Sequence, residues 1–177
     1  VYEEYAYIID LLPHGRGFRA EPLAQVVGEQ YFTLLEVVLR PNVSAQLHEK
    51  VYIGKDARDK VLTIRARLSW EELSPRARLE LPIVVERIVR EREERFINFF
   101  NTTSAITPRM HALELVPGIG KKYMWDILRK REEVPFKSYE DLQKRTGIPN
   151  PVKLLTKRIL EEIRVKENKY RLFTRAP

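Results

Sequence analysis

Apolar and polar positions alternate with a period of two through much of residues 1–68. Tyr31, Thr33, Leu35, Val37 and Leu39 fall on one side of an extended chain, with Phe32, Leu34, Glu36, Val38 and Arg40 on the other. A second run sets Leu62, Ile64, Ala66 and Leu68 against Val61, Thr63, Arg65 and Arg67. Tyr5–Leu12 is a third β-prone run, closed by Pro13 and the loop His14-Gly15-Arg16-Gly17. Gly28-Glu29-Gln30 reads as a turn between strands. About five short strands in this length predict a small OB-like β-barrel, with an SH3-like barrel as the alternative.

From residue 69 the period changes to that of a helix. Ser69 and Glu72 have capping-box spacing, and Ser74-Pro75 opens a further short helix. Leu81, Val84, Val85, Ile88 and Val89 make one buried stripe that Phe96, Phe99 and Phe100 extend. Arg87, Glu91 and Arg95 have the spacing of i,i+4 ion pairs on a solvated face. Asn101–Ser104 is a polar hinge.

Residues 105–166 read as two helix–turn–helix units. Thr107-Pro108 is taken as a helix start, followed by a short helix to Val116, the turn Pro117-Gly118-Ile119-Gly120, and a helix from Lys121 to about Glu133. Ser138 with Asp141 caps a third helix that ends at Gly147-Ile148-Pro149. Asn150-Pro151 caps the fourth, which buries Val152, Leu155, Ile159 and Ile163. Tyr170–Thr174 is a last strand or an ordered tail. The fold class expected is α+β: a barrel over 1–68, a helical connector over 69–104 and a helix-hairpin-helix domain with a basic tail over 105–177.

Charge sharpens this outline. The 177 residues hold 32 Lys and Arg against 25 Asp and Glu, net +7. Residues 1–68 balance to zero, residues 69–104 carry −1, and residues 105–177 carry +8. A positive excess confined to one segment points to a polyanion. There is no cysteine, which excludes disulfides, thiolate metal sites and thiol nucleophiles. No apolar run approaches a membrane span, so a cytoplasmic protein with no membrane partner is expected.

The chemistry concentrates in the first turn. Gly118 and Gly120 allow positive φ and close backbone approach. Ile119 between them plugs the core. The helix that follows begins with unpaired N–H groups at its positive end, an anion site for a phosphate. Lys121 and Lys122 oppose that dipole, which suits an anion in between. The second turn, at Gly147, lacks the second glycine and places prolines where donors would be, so Lys153 and Lys157 are its main contribution. Candidate nucleic-acid-binding residues are therefore Pro117, Gly118, Ile119, Gly120, Lys121, Lys122, Gly147, Lys153 and Lys157. His14 with Arg16 and Arg19 is a lesser phosphate candidate. Trp70, Trp125, Tyr123 and Tyr139 are core residues or stacking platforms. His14, His48 and His111 lack metal spacing, no nucleotide-binding glycine loop is present, and no nucleophile–base pair is visible. No enzyme activity, metal or cofactor is expected.

Leu113–Lys122 resembles the hairpin of the helix-hairpin-helix superfamily, which grips DNA or RNA backbones without reading bases. The chain as a whole is similar to an archaeal uncharacterised family, domain-of-unknown-function 655. Tyr5-Ala6-Tyr7-Ile8-Ile9-Asp10-Leu11-Leu12-Pro13-His14-Gly15 and Gly147-Ile148-Pro149-Asn150-Pro151-Val152-Lys153-Leu154-Leu155 carry that similarity. The resemblance implies an OB-like part, a helix-hairpin-helix part, RNA as the favoured partner over DNA, and a link to the ribosome or translation. A DNA-binding protein of repair or chromatin type and a protein–protein adaptor are the competing classes.

Overall fold

A computed structural model of the chain describes residues 3–17 and 20–177. The architecture is mixed α+β, in two compact units: one runs to Val85 and includes Glu161–Pro177, and the other is Glu86–Leu160. These units do not follow the divisions at 68/69 and 104/105 that the sequence pattern implies. The borders fall inside two helices, α1 (Pro75–Glu91) and α5 (Pro151–Arg164), and the basic tail clusters with the N-terminal strands.

In the first unit, β1 (Tyr5–Leu12), β2 (Leu23–Gly28), β3 (Leu34–Leu39), β4 (Lys50–Tyr52) and β5 (Val61–Arg67) form one antiparallel sheet. Its order is β4-β1-β2-β3-β5, and it curls into a half-barrel. Ala6, Ile8, Ala24, Val26, Val37 and Val51 are among the small and β-branched side chains that fill its concave core. β2 is buried at all six positions, so both faces of the sheet centre are covered. Strict alternation therefore fails there, and Glu36 on β3 is buried with an ion pair to Arg16 at 2.9 Å. The edge strand β5 behaves in the opposite way. Only Val61 is buried, while Leu62 and Ile64 are 44% and 40% exposed.

Two buried carboxylates tie this unit together. Glu3 accepts from the N–H groups of Gln30, Tyr31 and Thr33, which fixes the β2–β3 turn. Gly28 makes room for it: a Cβ there would lie 2.0 Å from the Glu3 carboxyl carbon. Glu162 does the same for the C-terminal tail. It accepts from the N–H groups of Leu172, Phe173 and Thr174 and from the Thr174 hydroxyl. The tail is thus ordered without being a strand. Ser74 starts α1 by accepting from the Ala77 N–H and donating to Asp10.

The second unit contains α2 (Glu93–Thr102), β6 (Ala105–Thr107), β7 (Met110–His111), a 3₁₀ turn (Ala112–Leu115), α3 (Lys121–Glu133) and α4 (Tyr139–Thr146), with most of α5. Two expectations change here. The apolar stripe does not run through one helix, because Arg92 leaves the helical region at φ −103°, ψ 44° and separates α1 from α2. Thr107-Pro108 does not start a helix. The β-branched Ile106 and Thr107 enter a small β-hairpin whose turn holds the proline, and the expected helix to Val116 shrinks to one 3₁₀ turn. His111 caps that turn, with Nδ1 accepting from the Leu113 N–H and the Glu114 carboxylate accepting from the His111 N–H.

Candidate nucleic-acid interface

The first turn is built as a close-approach device. Gly118 sits at φ +92°, where a Cβ would lie 2.8 Å from Leu154 Cδ2. Ile119 is buried, and its N–H donates to Val116 O at 3.0 Å. Gly120 is the N-cap of α3 at φ −90°, ψ −170°, and a Cβ there would meet open space. The two expected glycine roles therefore separate. Only Gly118 needs the left-handed region, and Gly120 has no internal neighbour that demands glycine. Met124 N–H donates to Gly120 O and begins the helical ladder. Among the described residues, none accepts from the N–H groups of Gly118, Gly120, Lys121 or Lys122.

The second turn has related geometry. Gly147 closes α4 at φ +77°, Ile148 is buried, and Asn150 caps α5 at φ +43° by accepting from the Lys153 N–H through Oδ1. Its prolines do remove donors: Pro149 and Pro151 flank Asn150. What joins the turns is α5. Leu154 packs on Gly118, and the buried Arg158 donates to Leu115 O at 3.4 Å. Gly118–Lys122 and the start of α5 thus stand side by side, with Lys153 and Lys157 exposed one turn apart.

The positive charge divides into fixed and free groups. Arg131 donates to Phe100 O and Thr103 O at the end of α2, and Arg145 to Lys130 O and Val134 O at the end of α3. These arginines, with Arg158, hold the fold by capping carbonyls. Lys121 reaches Glu114 at 3.1 Å. His111's N–H and Lys121 hold the Glu114 carboxyl below its ordinary range. Lys122, Lys153 and Lys157 have no carboxylate partner among the described residues. The unit as a whole carries sixteen Lys and Arg against ten Asp and Glu, net +6 of the chain's +7.

The aromatic candidates separate as well. Trp70 lies under the guanidinium groups of Arg78 and Arg164, at 4.4 and 5.1 Å. Tyr139 donates to Val89 O, and burial, with Glu93 adding to it, raises its phenol well above the ordinary range. Trp125 is 61% exposed on α3, three and four residues beyond Lys122 and Lys121. It therefore shares the face of both lysines. Arg16 is held by Glu36, and Arg19 lies outside the described residues. No helix of the described residues is long and apolar enough to cross a membrane.

A family model described as a protein of unknown function (DUF655) matches residues 2–175. An uncharacterized protein of Methanocaldococcus jannaschii is 44% identical over 176 residues, covering 98% of this chain and 81% of the relative. The crystal structure of Af1531 from Archaeoglobus fulgidus, of the same family, is 47% identical with a TM-score of 0.89, covering 98% of this chain and 100% of that one. The chain belongs to the DUF655 family.

Proposed function

We propose that this protein is a non-enzymatic nucleic-acid-binding protein that grips a phosphate backbone at the Gly118–Lys122 turn. In this reading the second unit is helix-hairpin-helix-like and the half-barrel is OB-like. One observation carries it: the amides at the start of α3 are unbonded among the described residues and belong to exposed residues, on a unit of net +6. The phosphate accepts from the amides of Gly120 and the first turn of α3. Lys121, Lys122, Lys153 and Lys157 supply charge, and Trp125 covers an adjoining base or ribose. RNA is favoured over DNA, and a ribosome or translation role over repair, on the strength of the family resemblance. The adaptor alternative has one observation of its own: Leu79 and Ile83, one turn apart on α1, are both more than half exposed.

Titrations of a short RNA duplex across salt test the proposal. Four lysines at four phosphates give a slope of log K against log salt of about −3 to −4. Lys121→Ala with Lys122→Ala reduces that slope by at most about 2 and converges on wild type as salt rises. Gly120→Val keeps the fold, since φ is negative and its Cβ enters open space, yet loses affinity at every salt concentration. A folded Gly120→Val protein that binds RNA and DNA as tightly as wild type would remove the hairpin from the interface. A matched DNA duplex in competition decides the nucleic acid.

A further inference from the structure

The first unit holds a groove that the balanced charge of residues 1–68 conceals. β4 and β5 are the two edges of the curled sheet and do not pair with each other. A groove of about 760 Å³ opens beside them. Its cations are Lys55, Arg58, Arg65, Arg67 and Arg175, and Leu35, Ile53 and Ile64 are among its apolar lining. Two of the cations come from β5, two from the loop after β4, and one from the tail that Glu162 fastens.

These charges are neutralised only in part. Lys55 has no carboxylate partner among the described residues. Arg58 donates to Gly54 O, and Arg67 donates to the carbonyls of Arg175 and Ala176. Carbonyls orient a guanidinium and leave its charge in place. Arg175 stacks on the Tyr31 ring at 4.2 Å. Arg65 lies 3.9 Å from Glu36, whose closer partner is Arg16 at 2.9 Å. Among the described residues the one carboxylate lining the groove, Glu3, already accepts from three backbone N–H groups. Burial, and after it the nearby Arg171, lowers the Arg67 pKa, with Glu3 opposing part of the shift.

We infer that this groove is a second nucleic-acid site, and that its ligand is a single strand. The cation rim fits a run of phosphates, since a positively charged groove can track a backbone. The apolar lining decides between strand forms. A duplex presents phosphates and would leave the 40%-exposed Ile64 wet, whereas a single strand can turn an unstacked base onto it. Guanidinium planes offer stacking surfaces where the described residues of the lining include no aromatic ring. No hairpin residue enters this inference.

The test uses the full chain and two labelled probes: an oligouridylate of about ten nucleotides, within the ~4–16 nucleotide sites of single-strand grooves, and a short RNA duplex. Lys55→Gln with Arg65→Gln removes two exposed charges that carry no backbone hydrogen bond of the fold. Anisotropy is expected to show a loss of about tenfold for the oligouridylate, with duplex affinity retained. Photocrosslinking from 4-thiouridine is expected to label residues 53–67. Unchanged single-strand affinity, equal loss on both probes, or crosslinks only at 117–122 would overturn the groove and leave the hairpin to be judged by its own variants. A wild-type dimer that the double variant dissolves in sedimentation would assign the groove to a second copy instead.

Discussion

Glu162→Ala is expected to destabilise the protein by about 3 kcal/mol, because it strips acceptors from buried donors. Glu162 is fully buried and takes three consecutive N–H groups and one hydroxyl from the tail. Without it those donors either stay buried and unsatisfied or pull the tail into water. The second route loses the burial of Phe173 and the Arg67 contacts to residues 175 and 176. For a chain of this size the midpoint of thermal unfolding should fall by about 6–12 °C. Hydrogen exchange gives the local signature: the amides of Leu172, Phe173 and Thr174 lose protection before the sheet does. An unchanged melting midpoint with those amides still protected would show that the carboxylate does not hold the tail. The same variant displaces Arg175 from the groove, so the single-strand affinity should fall with it.

Gly118→Ala is expected to cost about 2–3 kcal/mol, since it combines a disfavoured φ of +92° with a steric overlap. The overlapping atom, Leu154 Cδ2, is the end of a flexible side chain. Part of the clash can therefore relax, while the backbone strain cannot. Gly147→Ala meets open space at φ +77° and carries strain alone, about 1–2 kcal/mol. Gly120→Ala has neither penalty and costs at most about 1 kcal/mol, as a weaker N-cap. Denaturant unfolding should rank them Gly118, Gly147, Gly120. Equal costs at Gly118 and Gly120 would contradict the turn geometry. The ranking also matters for function, because Gly120 can then be changed to probe binding while Gly118 cannot.

Several features were legible from residue pattern. The runs that became β1, β3 and β5, the turn after Gly28, the buried stripe from Leu81 to Val89, and the caps at Ser69, Ser138 and Asn150 stand as the spacing implies. So does the shared Gly-Ile plan of the two turns. Other expectations failed for identifiable reasons. Thr107-Pro108 has the composition of a helix start, but β-branched neighbours and a nearby turn make it a hairpin. Leu62 and Ile64 alternate like core residues, yet β5 is an edge that nothing among the described residues covers. The basic segment looked uniform, and in the fold Arg131, Arg145 and Arg158 turn out to be scaffold while Lys122, Lys153 and Lys157 stay free.

What the sequence determined by itself was local. Strand and helix periods, N-caps, and glycine or asparagine at positive φ depend on a few neighbouring residues, and their energies act whatever the rest of the chain does. What the tertiary structure alone decided was which charges are available and to what. Arg67 meets the carbonyls of Arg175 and Ala176 from 108 and 109 positions away. Leu154 closes on Gly118, and the tail brings Arg175 to a groove that charge counting along the chain averages to zero. Pairing and burial set whether a cation is a strut or a contact, and both arise only when segments distant in sequence pack together.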